Sequence, residues 1–166
     1  MLNIGDYIVK AGEGVCRVDS TIMMKVPGDG PEVPYYLLVP VSDARIKVYL
    51  PVLEEYTEIR PVMSRSEAQI FVESVSRIEA TEVRDEKQRE STYKDALRSC
   101  EPERIVGIIK HMSNRSLERQ AQGKKNTAMD ERYFAMAEKA LYSEIGFALE
   151  KTDEEVRLLL NEVTAI

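Results

Sequence analysis

The side chains able to do chemistry are few and scattered. One histidine, His111, and two cysteines, Cys16 and Cys100, stand far apart in the chain. A zinc site needs further Cys or His ligands at short spacing, and the sequence has neither a CxxC pair nor a second histidine. No metal site is expected, and the cysteines read as buried small hydrophobes. Gly12-x-Gly14 lacks the third glycine of a dinucleotide fingerprint, and Gly123-Lys124-Lys125 lacks the first glycine and the Ser or Thr of a phosphate loop, so both read as turns. No serine sits in a nucleophile-elbow motif. The acidic pair Glu54-Glu55 belongs to a turn, and Glu154-Glu155 stands where a helix start favours negative charge. The expectation is a binding protein with no catalytic residue and no cofactor.

Charge gives the one positive signal. The 166 residues carry 23 basic and 29 acidic side chains, a net charge of −6 that argues against a plain nucleic-acid binder. Between residues 104 and 125, however, Arg104, Lys110, Arg115, Arg119, Lys124 and Lys125 face only Glu118, a local excess of five positive charges. This segment reads either as a solvated helix face or as a contact for phosphates.

The elements that would hold these residues change type near residue 62. Tyr7-Ile8-Val9, Val15 to Met24, Tyr35 to Val41 and Ile46 to Leu50 are short β-rich runs separated by Gly and Pro, including the loop from Pro27 to Pro34. Val48 and Leu50 alternate with Lys47 and Tyr49 in the period of a half-buried strand. Four or five strands of this length expose their edges unless the sheet curls, which predicts a small barrel of the SH3 or Tudor type. From Ser64 the pattern is helical. Ser66 with Gln69 has capping-box spacing and leads into Ile70, Phe71, Val75 and Ile78. Thr81 to Thr92 is polar apart from Val83 and reads as a loop or a frayed start before Tyr93 and Leu97. A helix from Pro102 runs through Ile105, Ile108, Ile109 and Met112 toward Gly123. Thr127 with Asp130 opens another, whose stripe of Met129, Tyr133, Met136, Ala137, Ala140, Leu141, Ile145 and Leu149 spans about six turns. Thr152 with Glu155 starts the last, with Val156, Leu159, Leu160 and Val163 inward. The fold class expected is α+β, with a barrel over 1–62 and a bundle of about five helices over 63–166.

Gly5-Asp6-x-Ile8-Val9, then Gly14-Val15 opening a strand, a hairpin, and a β run closing on Pro51 resemble the start of the CarD/CdnL family of bacterial transcription regulators. Tyr93-Lys94 with Leu97, and Thr127-x-x-Asp130 followed by Ala137, Leu141 and Glu144, resemble that family's two helical boxes, so the likeness covers essentially the whole chain. The resemblance implies a Tudor-like domain that docks on the RNA polymerase β subunit and a helical domain that contacts promoter DNA at the upstream edge of the transcription bubble, stabilising the open complex. Polymerase contact then falls to Met23, Met24, Lys47 and Tyr49, on strands able to add to a partner's sheet. Relatives place a tryptophan wedge just before the Tyr-Lys box. This chain has no tryptophan, and Arg89 stands at about that position, where a narrow minor groove would attract it. Lys10, Ala11 and Glu13 likewise replace an aromatic, a proline and a histidine common in relatives.

The DNA-facing set implied is therefore Arg89, Lys94, Arg115, Arg119, Lys124 and Lys125. Tethering through the barrel would let such contacts be weak and largely independent of base sequence. An alternative of a different class is a protein-only adaptor, its barrel holding a partner and its helices serving as scaffold. Apolar runs far short of a bilayer span, and a start at Met1-Leu2-Asn3 without a basic-then-apolar leader, predict a soluble cytoplasmic protein with no membrane partner.

Overall fold

A computed structural model describes every residue except Val26, Pro27, Asp29, Glu54, Ala165 and Ile166. The chain is α+β, with five strands followed by five helices. The strands are β1 (Tyr7–Lys10), β2 (Gly14–Lys25), β3 (Glu32–Pro40), β4 (Val48–Pro51) and β5 (Ile59–Pro61), all paired antiparallel in the order β4-β3-β2-β1-β5. Ends of this order do not pair with each other, so the sheet is open where the sequence suggested a closed barrel. β3 begins inside the predicted Pro27–Pro34 loop, of which Pro27 and Asp29 lie outside the described residues. β5 was not anticipated as a separate element; its three residues are too few to show a period.

Alternation along the strands sorts residues onto two faces. On one, Ile8, Cys16, Val18, Tyr36, Leu38 and Leu50 form a buried cluster, closed by Leu2 from before β1 and by Val52 and Tyr56 from the β4–β5 connection. The Tyr56 hydroxyl donates to Pro51 O at 2.9 Å and accepts from Leu53 N at 2.8 Å, pinning that connection over the cluster. The register of β2 on β3 shifts between Val18 and Ser20, a bulge at Asp19 that bends the long strand.

The helices are α1 (Arg65–Ser74), α2 (Arg89–Ser99), α3 (Pro102–Ala121), α4 (Ala128–Leu149) and α5 (Asp153–Thr164). The capping box of α1 is Ser64 with Glu67, two residues before the predicted Ser66, because Ser64 takes the extended backbone a cap requires. Ile70 consequently points outward, 67% exposed, while Ala68, Phe71 and Val72 face in. Thr127 and Thr152 cap α4 and α5 as their spacings suggested. Helix α4 is the axis of the bundle: it packs on α1, α2, α3 and α5 and also on β2. Its inward stripe matches the predicted one except for Met136, which is 42% exposed.

Sheet and bundle share a seam. Val9, Val15 and Cys100 form a small buried cluster with Ala11 and Val62 around it. Glu144, 2% exposed on α4, receives Arg60 Nη1 at 2.6 Å, Arg60 Nη2, and Met63 N at 2.9 Å. Arg60 Nε also donates to Cys100 O at 2.6 Å. One residue earlier on α4, Ser143 Oγ accepts Val15 N at 3.1 Å, and the Phe147 ring lies 4.8 Å from that of Tyr7. Gly14 allows this approach, since its φ is +76° and a Cβ there would stand 2.7 Å from Ser143 Oγ. Gly12 has a similar φ of +80° but open space around it.

Gly14→Ala therefore meets both backbone strain and a clash, whereas Gly12→Ala meets only strain of about 1–2 kcal/mol. Urea unfolding of the two variants should show Gly14→Ala as the less stable, and replacing Ser143 by Gly in that background should recover the difference. Equal stability of the two alanine variants would mean that the seam does not depend on this close approach.

Candidate functional site

Two surfaces carry the residues singled out from the sequence. The first is the outer face of β2, β3 and β4. Ile22 pairs with Tyr35, Met24 with Val33, and Leu37 with Tyr49, which puts these six side chains on one face. All are half-buried or exposed, and among the described residues none packs into the three buried clusters. Helix α4 covers the other end of this face, at Tyr7 and Val15, and leaves this end open. Among the described residues strand β4 has a neighbour on one side only, so Tyr49 can offer backbone groups at its outer edge, whereas Pro51 has no N–H and its carbonyl takes the Tyr56 hydroxyl. Of the predicted polymerase-facing set, Met24 and Tyr49 lie on this face and Lys47 is exposed just before β4. Met23 pairs with Pro34 on the opposite face, 58% exposed beyond the end of the inner cluster.

The second surface is the C-terminal end of α3, and here the predicted set divides. Lys124 and Lys125 are exposed and, among the described residues, in no ion pair. Arg119 is half-buried and straps the turn beyond the helix, donating from Nε to Lys125 O at 2.8 Å. Lys94 is exposed but paired with Glu90 at 3.4 Å, which also takes Arg132 at 3.2 Å and the Tyr133 hydroxyl at 2.9 Å.

Arg89 and Arg115, both of the predicted DNA-facing set, belong to an ion cluster with Glu86 and Asp130. Arg89 is only 8% exposed. Its Nε lies 3.2 Å from Asp130 Oδ1 and its Nη1 meets Glu86. Arg115 gives Nε to Asp130 Oδ2 at 3.0 Å and Nη1 to Glu86 Oε1 at 2.8 Å. Asp130, itself 7% exposed, also accepts from the Tyr93 hydroxyl at 3.1 Å and from Thr127 Oγ1 at 2.8 Å. Residue 89 is the first of α2, and its side chain is directed toward Asp130 of α4. Lys110 is likewise structural, its Nζ donating to Val75 O and Ile78 O at 2.6 Å and so closing the chain end that follows α1. The basic run from 104 to 125 is therefore no single face. Arg104, exposed in the first turn of α3, stands about 25 Å along the helix from its last residue, Ala121, beyond which Lys124 lies.

Burial raises the Asp130 carboxyl toward neutrality, but the Thr127 hydroxyl and the Arg115 and Arg89 guanidinium groups outweigh it and hold the pKa below the ordinary 3.8. Burial pushes His111 below 6.5, against a hydrogen bond to the Thr81 backbone, so the ring is neutral at pH 7. Burial also pushes the Cys16 thiol up to about 12 and raises Cys100. Both cysteines are free and buried, and among the described residues no group of three His, Cys, Asp or Glu side chains is placed to hold a metal.

Asp130 acts through its charge, and the sign of its pH dependence follows. A carboxyl depressed in the folded state stabilises it above the unfolded value and loses that contribution as pH falls through 3.8 and below. Asp130→Asn should cost roughly 3 kcal/mol at pH 7, because two guanidinium groups lose their shared partner. Thermal unfolding from pH 7 to pH 3 should then show a shallower acid decline for the variant; parallel declines would remove Asp130 from the acid response.

No protein-family model matches the chain, and no curated protein matches it.

Proposed function

We propose that the protein is a CarD-like transcription regulator. Its N-terminal sheet, read as an SH3/Tudor-type module, binds the RNA polymerase β subunit, and its helical part contacts promoter DNA near the edge of the bubble and stabilises the open complex. The observation that carries this reading is the edge position of β4 beside an uncovered apolar face, with Tyr49 exposed on it and Lys47 next to it. An extended segment of a partner can add there as a further strand, with main-chain hydrogen bonds for affinity and the apolar face for side-chain specificity. Lys124 and Lys125, unpaired at the end of α3, supply phosphate contacts. With a net charge of −6, such contacts hold DNA only when the polymerase tether supplies a high local concentration.

A second reading, a protein-only adaptor, is favoured by one specific observation: Arg89 and Arg115 are already neutralised by Glu86 and Asp130. Both readings use the β4 edge and they part at DNA.

Full-length protein immobilised on beads should retain RNA polymerase β-subunit fragments, and Tyr49→Ala or Lys47→Glu should reduce retention severalfold without changing thermal stability. No retention by the folded protein would remove the polymerase reading. Binding to a short duplex should be weak and fall as salt is raised, and Lys124→Ala with Lys125→Ala should weaken it uniformly across sequences and lower the salt slope by about 2. An unchanged slope would favour the adaptor.

A further inference from the structure

The polar segment between α1 and α2 is anchored at one end and free at the other. Thr81 N donates to Gly107 O at 2.9 Å, and Gly107 permits this because a Cβ there would stand 2.6 Å from Thr81 Oγ1. Residues 84 to 88 are all exposed and end in a single 3-10 turn, Glu86–Gln88, braced by Asp85 accepting from Lys87 N at 2.9 Å. From this turn Glu86 sets one carboxylate oxygen on Arg89 Nη1 and the other on Arg115 Nη1. Those arginines come from α2 and α3; behind them Asp130 of α4 accepts a hydrogen bond from Arg115 Nε and lies 3.2 Å from Arg89 Nε, which makes no hydrogen bond among the described residues. Their side chains are 9% and 20% exposed, and that of Glu86 is 68% exposed. The cradle is thus built into the helices, and its occupant is borrowed from a surface turn.

A carboxylate that gives one oxygen to each of two guanidinium groups occupies the place that two oxygens of a phosphate would take. The geometry points to a phosphate-binding cradle at Arg89 and Arg115 that Glu86 keeps filled and that an incoming phosphate opens by displacing it. With Glu86 in place the two arginines are balanced by two carboxylates. With Glu86 swung out, one positive charge is left facing solvent, and Asp130 still holds Arg115 by its hydrogen bond and stays beside Arg89. Displacement is feasible because an exposed carboxylate on a surface turn is held weakly. The favoured source of the phosphate is a nucleic-acid backbone, since Arg119 lies one helical turn beyond Arg115 and leads to the unpaired Lys124 and Lys125. That choice of source rests on the DNA-contacting reading above; the cradle itself accepts the same chemistry from a free phosphate.

The test uses the full chain with Glu86→Ala and Glu86→Gln, each also combined with Arg115→Gln, and two probes. Inorganic phosphate should raise the melting temperature of the wild type, do so at lower concentration for the Glu86 variants, and leave the Arg115→Gln combinations unmoved. A short DNA duplex should bind the Glu86 variants about tenfold more tightly than wild type, with a salt slope steeper by about 1, and the Arg115→Gln combinations should lose the gain. Phosphate stabilisation without a DNA gain supports the cradle and assigns it to free phosphate, against the DNA source. If neither probe distinguishes the Glu86 variants from wild type while Lys124→Ala with Lys125→Ala still weakens DNA binding, the cradle is overturned and the DNA reading stands. Because Glu86 is a surface residue, matching circular dichroism spectra and urea midpoints should exclude misfolding as the cause of any difference.

Discussion

The buried fork between Arg60 and Glu144 is the contact through which the sheet and the helices become one body. Ions taken out of water are costly unless hydrogen bonds compensate them, and this pair makes several. Glu144 receives both Nη groups of Arg60 and the amide of Met63, while Arg60 also donates to Cys100 O and Pro61 O. Its contribution lies in specifying one arrangement. Removing either partner leaves a buried charge, which costs roughly 3–5 kcal/mol, so the seam tolerates one docking angle and penalises others. The apolar contacts of Val9, Val15 and Cys100, and the Ser143 bond to Val15, sit around this fork and depend on its register.

Much of the architecture was legible because it is encoded locally. β-rich runs bounded by Gly and Pro located four strands, and Thr127 and Thr152 announced the caps of α4 and α5 by their own spacing. What remained hidden was encoded by distance. Arg60 and Glu144 are separated by 84 positions, and nothing near either shows that they meet. β5 exists because β1 needs an outer neighbour, not because Ile59-Arg60-Pro61 has a strand pattern. The shift of the α1 cap to Ser64 was decided by backbone shape between two serines equally suited by type. Closure failed for a comparable reason: the inner cluster is sealed by Leu2, Val52 and Tyr56, so strand-to-strand closure is not needed to keep it dry.

The candidate site shows the same division. Exposed Lys124 and Lys125 and the β4 residues could be read directly, since a surface position needs no partner. Arg89 and Arg115 looked equally available in one dimension, and only the folded arrangement brings Glu86 and Asp130 to them. Asp130 was recognised as a cap partner and proves to be the hub of the cluster as well. Glu86 carried no signal, because a glutamate in a polar run resembles every other solvated acid.

Helix α4 joins these two regions along a single rod. Asp130 sits in its first turn and Glu144 near its other end, about 21 Å away at the usual rise. A helix is stiff along its axis, so the two ionic joints cannot drift apart independently. A pull applied to the sheet arrives at the arginine cluster as an axial load rather than dissipating in a linker, and the molecule behaves mechanically as a strut with a fixed hinge angle.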